Sequence, residues 1–237
     1  MKRYLFYFPH LLTLCGLGFA AAAMMAVLDG RFDAAARFSL LVLAVDRLDG
    51  TLARKLKVRE KFPGTSGEVL DIITDLVGLT FVPMLLFWQT SLFLSGVGTV
   101  VVIGAAIAAS SKYSRKEQFL KDGYSVGAPP VFFSLFIFYF LRLPPIYPTL
   151  YAAILIILTV APIRYPINCL VTTHWQPGYK SIINYLTTLF FVPVFIWLDD
   201  APSAIYWIML AAMCVQLFVN PVLLQVGILK PVFDRKF

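Results

Sequence analysis

Four aspartates lie close together in a chain that otherwise keeps charge out of its apolar runs. They are Asp46, Asp49, Asp71 and Asp75, within VDRLDGTLARKLKVREKFPGTSGEVLDIITD, residues 45–75. Asp46 and Asp49 are spaced i, i+3, while Gly67, Asp71 and Asp75 are spaced i, i+4, i+8. On helices such spacings place each set on one face. Two faces, one from each helix, can converge four carboxylates on a single point. Mutual repulsion there favours protonation unless cations neutralise the charge. Oxygen-only ligands suit hard divalent ions, Mg²⁺ or Mn²⁺, and two such ions can clamp phosphate oxygens. Gly50, Ala53 and Gly67 lie on the same stripes and are small enough to let a bulky ligand approach the backbone. A proton or cation relay in a transporter is a second use for such carboxylates. Structural ion pairs with Arg47 and Arg54 are a third, although two cations do not satisfy four anions and leave the glycines unexplained.

The elements that must carry these residues are transmembrane helices. Of the 237 residues 59% are hydrophobic and 14% charged, whereas a soluble domain carries roughly a quarter charged residues. Apolar runs of about 20 residues recur along the whole length. The expected fold is all-α: one polytopic integral membrane helical bundle forming a single domain over 1–237. About eight transmembrane helices are expected, at 8–28, 35–54, 67–87, 91–110, 127–142, 147–163, 181–198 and 203–228. The fifth and sixth are short, and RLPPIYP between them is compatible with one re-entrant unit. The first run continues to residue 28 without a small-residue cleavage site, which argues against a signal peptide. Cys15, Cys169 and Cys214 are scattered and read as apolar filler.

Of the 20 Lys and Arg residues, 16 fall on the side of the N-terminus, only Arg31, Arg37 and Arg142 fall on the other, and Arg47 lies within the second helix. By the positive-inside rule both termini are cytoplasmic. The second helix ends and the third begins on that side, so the four carboxylates lie near the cytoplasmic face. An ionised carboxylate at the helix centre costs about 2.5–3.5 kcal/mol, and less towards the end of a span. The net charge of +7 is a topology signal with attraction to anionic lipid headgroups. Nucleic-acid binding does not fit basic residues divided among membrane loops.

Written with gaps, the stretch is D-x₂-D-G-x₂-A-R-x₁₂-G-x₃-D-x₃-D. It resembles the signature of the CDP-alcohol phosphatidyltransferases. The twelve residues between Arg54 and Gly67 resemble the longer gap of the bacterial phosphatidylcholine synthases, as do PHLLTLCGLGFA, FPGTSG and PIRY. FPGTSG lacks the aromatic usual in that branch, and SSKYSRKEQFLKDGYSVGAPPVFF matches only loosely. The resemblance implies transfer of the phosphatidyl group of CDP-diacylglycerol to an alcohol in the bacterial inner membrane, with CMP as the leaving group. It implies that Asp46, Asp49, Asp71 and Asp75 hold two divalent ions, Mn²⁺ or Mg²⁺, and that Asp75 is also the general base. Gly50, Ala53, Arg54 and Gly67 would line the CDP site, which opens to the cytoplasm, and the family suggests a homodimer.

The branch implies choline as the acceptor. Serine, glycerol 3-phosphate and inositol phosphate remain alternatives. A quaternary ammonium is held by aromatic faces and negative charge, and the cytoplasmic side offers Tyr113, Tyr124, Tyr165 and Tyr179. An anionic acceptor would need clustered cations, for which Lys112, Arg115 and Arg164 are available. His10 reads as a structural residue at the start of the first helix, and His174 as a loop residue.

Overall fold

A computed structural model describes residues 8–56, 67–115, 124–166 and 202–219, together with 221, 222 and 226. The protein is mostly helical. It divides into two compact units, Met1–Ser91 and Leu92–Phe237.

The first unit opens with α1 (Phe8–Leu28), which contains no Asp, Glu, Lys or Arg. Gly30, at φ +72°, takes the left-handed conformation that ends it. The Arg31 N–H donates to the Ala26 carbonyl at 2.8 Å and the Gly30 N–H to that of Val27 at 3.0 Å, the paired bonds of a Schellman cap. So short a turn makes α2 (Phe32–Leu56) the packing neighbour of α1. Asp33 in the first turn of α2 complements the positive end of its dipole. After the loop, α3 (Gly67–Thr74) runs into a π-helical stretch, Asp75–Phe81, and then α4 (Val82–Gln89). His10–Leu28 and Val69–Gln89 are each long and apolar enough to cross a membrane.

Small residues bring these helices close. Ala20, Ala23 and Ala26 are fully buried on α1. A Cβ placed on Gly78 would lie 2.6 Å from Val42 Cγ1 and 3.3 Å from Ala20 Cβ. One on Gly16 would lie 3.2 Å from Thr74 Cγ2 and 3.4 Å from Val45 Cγ1. Close backbone approach through small residues is how helices associate in lipid, where the hydrophobic effect gives no preference for helix over solvent. Here it also fixes the register of α1 against the helices that carry the aspartates.

The second unit contains α5 (Gly98–Tyr113), β1 (Tyr124–Val126), a 3₁₀ turn (Phe132–Leu135), α6 (Phe136–Phe140), α7 (Ile146–Val160), β2 (Arg164–Pro166) and α8 (Ser203–Cys214), which continues as a π-helix over Val215–Val219. β1 and β2 pair antiparallel, with Ser125 opposite Tyr165. Gly127 follows β1 at φ +79°, where a Cβ would collide with the Thr159 carbonyl oxygen. Its N–H donates to Ile163 O at 2.7 Å. The core is aromatic: Phe132 and Phe136 are buried, Phe138 lies 5.0 Å from Tyr151 and Phe140 lies 5.4 Å from Tyr206, centroid to centroid. Val100, Ile103 and Ile107 on α5 and Ile157 on α7 are exposed, a surface suited to acyl chains.

Several helix bounds differ from the sequence expectation for local reasons. The helix expected at 91–110 starts at Gly98, because Ser91 (φ +55°) and Gly96 (φ +78°) hold the preceding chain in turns. The helix expected at 127–142 shrinks to a 3₁₀ turn and α6, since Gly127 is left-handed and Pro129 and Pro130 follow it. The helix expected at 147–163 stops at Val160 and the chain becomes strand at Arg164. The strand pair itself was not expected. The span at 181–198 lies outside the described residues.

Candidate active site

The aspartates sit where the sequence spacing put them on their helices. Asp46 and Asp49 are on α2, Asp71 is on α3, and Asp75 opens the π-helical stretch. Asp46, Asp49 and Asp71 each bring a carboxylate oxygen within 4.8 Å of the other two. Asp49 is buried, while Asp46, Asp71 and Asp75 are half-buried. Three carboxylate oxygens converging from two helices form a donor set that fits a hard divalent ion. Asp75 stands outside this trio although it is only one turn beyond Asp71. It is the first residue of the π-helix, whose wider turn shifts the side-chain phase from α-helical spacing, and such turns often mark functional sites. Gly50, Ala53 and Arg54 continue α2 within two turns of Asp49.

Helix α1 supplies two residues that complete this region. The Thr13 hydroxyl donates to Asp49 Oδ2 at 2.5 Å, and both residues are buried. Thr13 did not stand out as a site residue in the sequence. Its one available signal was position, as a hydroxyl in an apolar run near the start of the first helix. One turn earlier, the His10 ring covers the second motif glycine. A Cβ on Gly67 would come within 2.7 Å of His10 Cε1 and 3.2 Å of its Nδ1. The His10 Nε2 is buried and makes no hydrogen bond among the described residues. The space that glycine leaves open at this position is occupied by His10.

The cations weighed for an anionic acceptor belong to the second unit. Lys112 is 3% exposed, yet among the described residues it pairs with no carboxylate. Its Nζ donates to Ser125 Oγ at 2.5 Å, Val126 O at 2.9 Å and Gly127 O at 2.7 Å. All three ammonium hydrogens are thereby engaged in tying the end of α5 to β1. Arg115 Nη2 donates to Val160 O at 2.7 Å. Among the tyrosines, Tyr165 is buried with its hydroxyl donating to Leu217 O at 3.2 Å. Tyr113 is half-buried, and Tyr179 lies outside the described residues. Among the described residues Cys15 and Cys214 are free thiols.

Comparison with known proteins matches residues 6–164 to the CDP-alcohol phosphatidyltransferase family. Similar proteins bear the name phosphatidylcholine synthase. One from Brucella melitensis is 38% identical over 134 residues, covering 54% of this chain and 48% of its own. One from Borreliella burgdorferi is 30% identical over 120 residues, 51% of each chain. One from Pseudomonas aeruginosa is 27% identical over 217 residues, 79% of this chain and 89% of its own. The chain thus spans about half the length of the first two relatives. The family and the two long apolar helices fit an integral membrane protein. With the matched region running through α1, the aspartate trio and Asp75, the chain belongs to the CDP-alcohol phosphatidyltransferase family.

Proposed function

We propose that the protein transfers the phosphatidyl group of CDP-diacylglycerol to choline, giving phosphatidylcholine and CMP. The observation that carries the transferase part of this reading is the convergence of Asp46, Asp49 and Asp71 within 4.8 Å, with Asp75 one turn beyond Asp71 in the chain. In this reading Asp46, Asp49, Asp71 and Asp75 hold two divalent ions, Mn²⁺ or Mg²⁺. When bound, the ions neutralise the diphosphate and the charge that develops on departing CMP. Gly50, Ala53, Arg54 and Gly67 line the nucleotide site, Gly67 by seating His10 against α3. The choline hydroxyl oxygen forms a bond to the phosphorus that bears diacylglycerol, and the bond from that phosphorus to the CMP oxygen breaks. An alcohol is a weak nucleophile at neutral pH, so a carboxylate within hydrogen-bond reach must take its proton. Asp75, outside the trio, takes that role.

Choline is favoured over an anionic acceptor by two features. The similar proteins share the name phosphatidylcholine synthase, and Lys112 and Arg115 already donate to backbone carbonyls. The family match runs through both units, which supports one functional domain over 1–237. The charge distribution supports an inner-membrane protein with both termini and the aspartates cytoplasmic. Cysteines introduced at Lys57 and Lys116 should then be labelled only from the cytoplasmic side. The assay that tests the function offers labelled CDP-diacylglycerol with choline, serine, inositol or glycerol 3-phosphate. Labelled phosphatidylcholine is expected. Product from serine or glycerol 3-phosphate with none from choline would overturn the acceptor and leave the transferase reading in place.

A further inference from the structure

We propose that Thr13 is a positioning residue of the aspartate centre, acting through Asp49. The inference rests on the reading of that centre as a metal site. Thr13 Oγ1 donates to Asp49 Oδ2 at 2.5 Å, between helices 36 residues apart in sequence. Thr13 is 7% exposed and Asp49 4%, so water competes poorly for either partner. A hydroxyl donating to a carboxylate makes a charge-assisted bond, stronger than a neutral one. The bond restricts rotation of the Asp49 carboxylate and therefore the direction in which it presents its oxygens to Asp46 and Asp71.

The position of Thr13 is itself fixed. Gly16, one turn further along α1, sits so close to Val45 and Thr74 that a Cβ there would meet them at 3.4 and 3.2 Å. Val45 is one turn before Asp49 on α2, and Thr74 adjoins Asp75. The helix seam that brings Gly16 between these residues thus carries Thr13 to Asp49. A hydrogen bond from a buried side chain to a metal ligand generally governs affinity, and removing one weakens metal binding about ten- to a hundredfold.

The test uses the full chain in detergent and reads Mn²⁺ binding directly, from the loss of the free-ion electron paramagnetic resonance signal. Thr13→Val keeps the side-chain shape and removes the donor, Thr13→Ala removes both methyl and hydroxyl, and Thr13→Ser keeps the hydroxyl. Thr13→Val and Thr13→Ala should weaken Mn²⁺ binding about tenfold or more, and Thr13→Ser should stay close to the parent. KM for choline should move less than the Mn²⁺ constant. A folded Thr13→Val with parental affinity overturns the proposal. Should Thr13→Val not fold, the Ala and Ser variants decide: equal weakening in both shows that packing, not the hydroxyl, matters, and overturns it. Asp49→Asn separates the two levels. Parental Mn²⁺ affinity in Asp49→Asn would remove the metal site itself, whereas a weak Asp49→Asn beside a parental Thr13→Val would remove only the role of Thr13.

Discussion

The two units handle polar groups in opposite ways. In the first, α1, α2 and the 67–89 segment approach through Gly16, Ala20 and Gly78, and the Thr13 hydroxyl of α1 donates to Asp49 among the gathered aspartates. In the second, the buried cation Lys112 donates to three neutral acceptors of the β1 region. Ser134 and Tyr151 likewise satisfy one another at 2.9 Å inside an aromatic core. A buried charge is stable only when its partners are supplied. The second unit supplies them internally, so its charge serves the fold. The first gathers three carboxylates from two helices within 4.8 Å of one another, a donor set suited to a hard divalent ion.

The largest expected effect follows from that contrast. Chelation with EDTA should abolish transfer, and added Mn²⁺ or Mg²⁺ should restore it. Activity that persists after thorough chelation would remove the distinction. Next is the tether. Lys112→Met leaves the carbonyls of Val126 and Gly127 and the Ser125 hydroxyl without their donor, at a cost of about 1–3 kcal/mol. Thermal unfolding should fall while Mn²⁺ affinity stays parental. Weakened Mn²⁺ binding in a folded Lys112→Met would show that the second unit's cation also serves the metal centre.

Close packing in the first unit gives a comparable loss of stability with a different signature. Gly78→Ala places a Cβ against Val42 Cγ1, and overpacking of this kind costs about 1–3 kcal/mol. Here Mn²⁺ affinity should fall together with stability, and Val42→Ala should restore both. The smallest effect is at Gly67. Gly67→Ala pushes the His10 ring and should lower kcat/KM by less than about tenfold, ~1.4 kcal/mol. Adding His10→Ala should recover part of it. No recovery would mean that the glycine makes room for the nucleotide rather than for His10.

Much of the first unit was legible because its information is local. Spacings of three and four residues place Asp46 with Asp49 and Gly67 with Asp71 wherever the segments are helical. Sequence periodicity does not reveal which helix faces which, so the contacts of Thr13 with Asp49 and His10 with Gly67 were not foreseen. Nor does periodicity mark a π-helix, because the seven residues from Asp75 read as a continuing apolar helix. In the second unit the decisive contacts are long-range. Tyr124–Val126 pairs with Arg164–Pro166, strands too short to show alternation. In the sequence PIRY reads as a resemblance and its Arg164 and Tyr165 as acceptor candidates, whereas both residues belong to β2. Lys112 looked like one of several loop cations, and only its burial against β1 gives it a separate role.

The central claim is a division of labour among the four aspartates proposed to hold the ions, with the converging Asp46, Asp49 and Asp71 supplying most of the cradle and Asp75 adding a ligand while also taking the proton from the alcohol. It is tested most directly by measuring Mn²⁺ binding and single-turnover CMP release side by side in Asp71→Asn and Asp75→Asn. Asp71→Asn should lose both. Asp75→Asn should retain most of the Mn²⁺ binding and all of the nucleotide binding, yet release CMP about 10²–10⁴-fold more slowly, the usual contribution of a general base. Near-parental CMP release by Asp75→Asn at saturating Mn²⁺ would contradict the account.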